Sequence, residues 1–486
     1  MRALLGGAER GPIVAIGFVF GALALLTATV LAGSGASQAA PLIAVGVVLV
    51  VAYRTLLTWP AVLCGLVLVI LFIPIKRYSL PGHLPFELEP YRIYVAVVAV
   101  MWLAALLVDP RIRLRASGLE APLFLFVVAA LGSVIFNGAR ITELDVHAEV
   151  TKQLTFFASF LLVFFLIVSV IRTREQVDRI VRVLVGGAAV VAALSIVESW
   201  TGYNAFDHLD GVLPMLQHVD APGTSERGGK LRVMGSAQGS IALGAALAMT
   251  LPLAAYLGLR TRRWYWWAAV GMLALGALAT LSRTSVLMLI VIIGVLLWLR
   301  PKQVAKFWPA LLPAVIVVHL LLPGTIGTIR GSFFPKEGLL AQQSENAGQR
   351  GSGRIADLGP ALDEYSQTPV FGQGYGTRLT GRDRQNAHIL DDQWLKTLLE
   401  TGIVGFFAWL WIFSRSIRRL ARAAKEDQSP EGLLFVALAA SITSFAIGMV
   451  LFDAFAFIQV TFVLFILLAL GCVALSARDR TAARAV

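Results

Sequence analysis

The sequence predicts an all-α, polytopic integral membrane protein with about 14 (12–14) transmembrane helices and one long loop on the outer side. Three observations predict it. The 486-residue chain is 57% hydrophobic and only 14% charged, whereas a soluble domain is roughly 45–50% apolar and about 25% charged. Its mean hydropathy is +0.77, and at ~20 residues per span the apolar content has room for up to about 14 spans. Finally, basic residues fall between alternate apolar runs, the pattern that orients membrane proteins. A soluble enzyme, a disordered chain and a disulfide scaffold are excluded.

The runs lie near 12–32, 39–52, 56–75, 91–108, 119–136, 153–171, 180–200, 238–258, 264–281, 284–299, 308–322, 393–414, 432–452 and 455–475. The first follows Arg2 and Arg10. It is longer than the ~7–15-residue apolar region of a signal peptide and is read as a retained span. The runs near 39–52 and 308–322 are the shortest in character. With the N-terminus inside, alternate loops carry Arg54, then Arg111, Arg113 and Arg115, then Arg172, Arg174 and Arg179. Arg260, Arg262 and Arg263 follow, then Arg300, Lys302 and Lys306, then Arg415, Arg418, Arg419, Arg422 and Lys425. The tail adds Arg478, Arg480 and Arg484. Both termini are therefore expected to be cytoplasmic. The net charge of +12 is scattered among spans, not stacked on one soluble face, so no nucleic-acid partner is expected. Cys64 and Cys472 sit inside apolar runs and read as small buried hydrophobes.

The chain divides into residues 1–322 with spans 1–11, an extracytoplasmic loop over 323–392 with short helices, and 393–486 with spans 12–14 and a cytoplasmic tail. The loop opens on GSFFPKEGLLAQQSENAGQRGSG (331–353), a flexible composition. A helical pattern is expected from Arg354 to Gln367, then a turn in PVFGQGYG (369–376). Those glycines lack dinucleotide-binding spacing and suit close backbone approach. A long loop between membrane helices is usually functional.

Ionisable groups at membrane depth carry a functional reading by default. Arg283 lies between two runs in TLSRTS (280–285), a connection too short to solvate it in a loop. Arg232 precedes the eighth run, Arg354 opens the loop pattern, and Arg378, Arg382 and Arg384 crowd the stretch before His388. All lie on the outer side, where topology does not require positive charge. Together they suggest an anionic ligand, because guanidinium forks match phosphate oxygens. Pairing with Asp363, Glu364 and Asp383 is the plainer alternative. His388, Asp391 and Asp392 precede the twelfth run; a helix would put them on neighbouring faces, capped by Asn386. They read as solvated helix-start residues, as a general base, or as a metal site formed with a phosphate. Glu198, His319 and Asp453 read as contacts at span ends.

Four stretches carry a family resemblance: RVMGSAQGS (232–240), TLSRTS (280–285), GRIADLGPALDEYSQTPVFGQGYG (353–376) and DDQWLKTLLETGIVG (391–405). In order and spacing they resemble the bacterial O-antigen ligase/polymerase superfamily, over about 230–415. The resemblance implies a GT-C-like fold in the bacterial cytoplasmic (inner) membrane, with the active site on the extracytoplasmic side. It implies en bloc transfer of a glycan from a polyprenyl-diphosphate carrier to a glycan or lipid-linked glycan acceptor, with membrane lipids as surroundings and without metal or other cofactor. It carries Arg232 and Arg283 to diphosphate-binding positions and Arg354 to the arginine that begins the loop helix. Arg378 and Asp392 join them as substrate-binding candidates. The ligases place a histidine eleven residues before the glycine corresponding to Gly402. Here that position is Asp391, and His388 is three residues earlier. The expected base is Asp391 with His388 as substitute, acting with Arg283 in an inverting transfer, and the departure favours a polymerase over a ligase. A lipid-linked glycan flippase or transporter is the alternative class; no paired halves of the kind transporters show are visible.

Overall fold

The computed structural model describes residues 58–80, 89–219, 225–335, 338, 344, 354–380 and 385–485. The runs near 12–32 and 39–52, together with Arg382, Asp383 and Arg384, lie outside them. The helices are α1 (Trp59–Phe72), α2 (Pro90–Val108), α3 (Glu120–Phe136), α4 (Gly138–Glu143), α5 (His147–Val170), α6 (Arg174–Thr201), α7 (Ser240–Thr261) and α8 (Trp264–Ala279). They continue with α9 (Arg283–Leu299), α10 (Pro301–Val304), α11 (Leu311–Leu321), α12 (Thr325–Phe333), α13 (Leu358–Gln367), α14 (Gln393–Glu426), α15 (Leu433–Gly448) and α16 (Ile458–Ala485). Among the described residues there are also two pairs of two-residue strands: β1 (Tyr78–Ser79) with β2 (Gln217–His218), and β3 (Glu226–Arg227) with β4 (Lys230–Leu231), both antiparallel.

The protein is an all-α polytopic membrane protein. Every apolar run that reaches the described residues contains a helix. Among those residues six helices are long and apolar enough to cross a bilayer, or up to eight if each bent pair is one span. The count falls below the sequence expectation because two runs lie outside the described residues, α1, α3, α8 and α15 are shorter than 18 residues, and two segments are bent, one of them the run near 308–322. Pro309 and Pro323 bracket it, proline ends helices, and α11 is left with 11 residues. It bends by 105° into α12, and the α9 segment bends by 116° into Pro301–Ala310.

Burial sorts the helices. The most apolar window, in α16, is buried along its whole length, α7 is 83% buried, and α2 only 28%. In α2, Val97, Val100, Leu103 and Leu107 are exposed on the outer surface, as a lipid-facing flank requires. Interior helices approach closely through small residues, as membrane packing favours. A Cβ on Gly276 of α8 would meet Ala192 of α6 at 2.9 Å, and one on Gly244 of α7 would overlap Ser285 of α9.

One break in a helix shapes the site. Inside α14, Gly402 has φ 65° and ψ −166°, a conformation open essentially to glycine alone. The break frees backbone groups that the turn 369–376 takes up. Gln373 N donates to Leu399 O at 2.9 Å, and Ile403 N donates to Pro369 O at 2.9 Å. A Cβ on Gly402 would lie 2.2 Å from Val370 O, and one on Gly372 2.5 Å from Leu399 O. The close approach expected of these glycines is thus met by α14 itself. Gly402→Ala is expected to destabilise the protein by about 2 kcal/mol or more, read as a lowered apparent Tm in detergent. An unchanged Tm contradicts this.

Candidate active site

Three local structures bring the arginines together. The first is the β3–β4 hairpin, whose two-residue turn Gly228-Gly229 has φ 58° and 70°, the geometry of a type I′ turn. It sets Arg227 opposite Lys230, and Arg232 N donates to Ser225 O at 2.9 Å where the hairpin closes.

The second is the stretch after it. Both carboxylate oxygens of Glu198 accept backbone N–H groups, from Met234 and Gly235, at 2.9 Å. Arg77, 2% exposed, donates to Gly235 O at 2.9 Å, to Ala237 O and to Asp207 at 2.9 Å. Glu198 is therefore a structural contact, as the sequence suggested.

The third is the α8–α9 junction. Leu281 has φ 50°, an uncommon conformation for a branched residue, and the turn aims two carbonyls at the hairpin. Arg227 Nη1 donates to Leu281 O at 2.8 Å, and Arg232 Nε donates to Thr280 O at 3.3 Å. Arg283 then begins α9, within electrostatic reach of Arg227, Arg354 and Asp391.

The loop supplies the remaining groups. Arg354 lies in a turn; its helix begins only at Leu358, correcting the expected start at Arg354. Pro360 fits the first turn of a helix and fixes that later start. Arg354 Nη2 donates to Leu451 O at 3.0 Å and pairs with Asp391 Oδ2 at 3.4 Å, while its Nε donates to Asp391 O at 3.3 Å. The expected helix through His388, Asp391 and Asp392 does not form. Asp392 is the N-cap of α14, accepting from Leu395 N at 3.0 Å. Asn386 caps nothing there: it accepts from Leu379 N at 2.7 Å and donates to Thr377 O at 2.9 Å, tying the loop back on itself.

These pieces surround a cavity of about 570 Å³ whose walls include Lys76, Arg77, Arg227, Arg232, Arg378, His388, Asp391, Lys396 and Asp453. Arg227, Arg232, Arg283 and Arg354 form one electrostatic cluster faced by Asp391 and Asp392. Burial, reinforced by Arg232 and Arg354, pushes Arg227 down to about 10. Burial and then Arg283 lower Arg232, with Asp391 opposing. Both remain cationic at neutral pH, so the cluster is crowded with positive charge that an anion would relieve. Arg378 lines the same cavity but pairs with Glu364, the carboxylate pairing weighed from sequence. His388 lines it from an exposed position. Among the described residues no group of three or more His, Cys, Asp or Glu side chains is placed to hold a metal ion.

Residues 267–410 match the O-antigen ligase family model. The chain is thus a membrane protein with an O-antigen ligase domain. The domain runs from within α8 to within α14 and holds Arg283, Arg354, His388, Asp391 and Gly402. Arg227 and Arg232 reach it from outside those bounds. No curated protein matches the chain.

Sequence reasoning did not single out Arg227, Arg77 or Lys396 as site residues. Lys396 Nζ pairs with Asp453 Oδ2 at 2.8 Å on the cavity wall, with Glu400 one turn on. A Lys/Glu spacing of four inside an apolar helix was the available signal. For Arg227 it was the Gly-Gly between short polar-apolar stretches.

Burial pushes Asp392 up to about 6, against the backbone N–H groups of Leu395 and Trp394 and the charge of Arg354. Its unfolded value is about 3.9, so the folded state binds the proton more tightly. This group therefore favours folding as pH falls through about 6, and the gain is complete near pH 4. Asp392→Asn keeps a competent cap and is expected to flatten that part of the pH–stability curve. Asp392→Ala is expected to cost about 1 kcal/mol through the lost cap. Unfolding in detergent between pH 4 and 8 checks both; an identical curve for the Asn variant contradicts the first.

Proposed function

We propose that this protein is a membrane glycosyltransferase. It moves a glycan en bloc from a polyprenyl-diphosphate carrier to an acceptor glycan on the outer face of the cytoplasmic membrane. The observation that carries the reading is Arg227, Arg232 and Asp391 on the wall of one cavity, with Arg283 in electrostatic reach of them and Arg354 paired with Asp391, in a chain with an O-antigen ligase domain. That family description itself points to a lipid-linked glycan transferase.

The chemistry follows from the charges. The bond from the anomeric carbon to the carrier phosphate breaks, and its electron pair leaves on the diphosphate. Fixed guanidinium groups in a partly dehydrated cavity stabilise that charge as it develops. The acceptor hydroxyl attacks the anomeric carbon from the opposite face and gives its proton to Asp391. The product is inverted and no covalent intermediate is needed. Arg354, paired with Asp391, orients the base and links it to the arginine cluster. His388 is the substitute base on the same cavity wall. Asp391 standing where ligases carry histidine favours a polymerase, whose acceptor is a second lipid-linked glycan. In this reading the chain has a GT-C-like arrangement of about fourteen spans with both termini cytoplasmic, supported by the basic loops between alternate runs.

The test is to incubate the purified protein with a defined polyprenyl-diphosphate oligosaccharide. A ladder of lengthening products from the donor alone is expected. Transfer only once a separate acceptor is added would make it a ligase. Movement of the lipid across liposomes with no new glycosidic bond would overturn the enzyme reading in favour of a flippase.

A further inference from the structure

A second cavity, of about 710 Å³, lies far from the candidate active site, and its walls carry Arg115, Arg172, Arg174, Arg478 and Arg480. Two helices measure the separation. Ile458 N, at the start of α16, donates to Gln238 on the wall of the first cavity, and Arg478 follows 20 residues later on the wall of the second. At ~1.5 Å per residue that is about 30 Å. α6 repeats the measure from Glu198, which holds the segment entering the first cavity, back to Arg174 in the second. The two cavities thus stand about one hydrocarbon thickness apart.

Scattered loop arginines suffice to orient a membrane protein, and Arg111 and Arg113 are scattered and exposed in that way. The residues of the second cavity differ because four separate segments converge. Arg115 comes from the α2–α3 loop, Arg172, Arg174 and Glu175 from the start of α6, Asp427 and Glu431 from the α14–α15 loop, and Arg478 and Arg480 from α16. Two of the five arginines are committed to the fold. Arg174 approaches Asp178 at 3.9 Å and lies 5.4 Å from the buried ring of Phe435, and Arg478 pairs with Glu426 at 3.1 Å. The other three form no ion pair among the described residues. Arg480 instead donates to the backbone carbonyl of Arg172 at 2.9 Å, which holds two of these cations side by side. Burial, then the neighbouring charges of Arg172 and Arg480, lower the pKa of Arg115. Three like charges held together by the fold make a site that an anion stabilises.

We propose that this cavity binds the phosphodiester headgroup of an anionic phospholipid of the leaflet opposite the candidate active site, with Arg115, Arg172 and Arg480 as its ligands. The same guanidinium chemistry would accept a free phosphate. The lipid is favoured because the cavity sits at the ends of membrane helices, with Phe435, Ala474 and Ala477 in its wall, where basic pockets meet headgroups and acyl chains together.

The experiment titrates the full-length protein in detergent with phosphatidylglycerol, phosphatidylcholine or inorganic phosphate and counts bound molecules by native mass spectrometry. Phosphatidylglycerol is expected to bind at least about tenfold more tightly than phosphatidylcholine. The combined variant Arg115→Gln, Arg172→Gln, Arg480→Gln is expected to lose at least about tenfold of that affinity. The control Arg262→Gln, Arg263→Gln, in exposed residues of another basic turn, is expected to stay within about twofold of the parent. Equal binding of the two lipids, unchanged affinity in the triple variant, or equal loss in the control overturns the proposal. Saturation by inorganic phosphate that displaces the lipid at equal concentration assigns the site to a soluble anion and overturns the lipid reading. A readout on the unaltered protein guards against a variant that fails to fold. Raising salt from 50 to 500 mM should release phosphatidylglycerol and not phosphatidylcholine, and no salt effect overturns the proposal.

Discussion

Arg283→Ala is expected to lower glycan transfer by about 10²–10³-fold, the scale seen when one preorganised donor to a developing negative charge is removed. Arg283 opens α9 directly after the junction whose carbonyls receive Arg227 and Arg232. Those two bonds run from other side chains to main-chain carbonyls and do not involve the Arg283 side chain, so the hairpin and the cavity should persist while the Arg283 charge is lost. The helix N-terminus keeps its own small positive field, which leaves a residual rate. Arg283→Lys restores the charge without the planar fork and is expected to fall between the two. Initial rates with a purified lipid-diphosphate donor, alongside an unchanged apparent Tm, make the measurement. A rate within about twofold of the parent removes Arg283 from the site.

The second large effect belongs to Asp391. Asp391→Asn preserves the shape and an oxygen for Arg354, yet it takes no proton, and the loss is expected to be about 10²–10⁴-fold. His388→Ala should cost far less, because His388 stands exposed on the rim while Asp391 is paired and half-buried. The converse result, a dead His388→Ala beside an active Asp391→Asn, moves the base to the histidine. Equal retention in both variants discards the base assignment and leaves charge stabilisation by the arginines as the surviving part of the mechanism.

Much of the scaffold was legible because membrane helices announce themselves by composition over ~20 residues, with little dependence on tertiary context. The run near 308–322 was legible as apolar, but its break was not: Pro309 and Pro323 limit α11 to 11 residues, and it bends by 105° into α12. Arg232, Arg283, Arg354 and Asp391 were visible as costly polarity, and the structure brings them together. Their means of assembly was not visible, because it rests on distant contacts. A left-handed Leu281 carries no compositional mark, and its partner Arg227 sits 54 residues earlier. The helix start was misplaced for a related reason. Asn386 has the chemistry of a cap, but its side chain is used 7 and 9 residues back, at Leu379 and Thr377. Spacing along one helix could not reveal that competition.

The enclosed apolar stretch of α16 also constrains biosynthesis. Its neighbours α1 to α15 precede it in the chain and emerge from the ribosome first, so they must gather before the element at their centre exists. Their nascent bundle therefore has to hold a lipid-filled slot or remain parted until α16 arrives. The very apolar character of its most buried window, mean hydropathy 2.7, suits such an exchange, because acyl chains leaving and a greasy helix entering are nearly equivalent solvents for the walls. Closure around α16 then follows insertion of the helices before it, and the two cavities at its ends acquire their final outlines only at that moment.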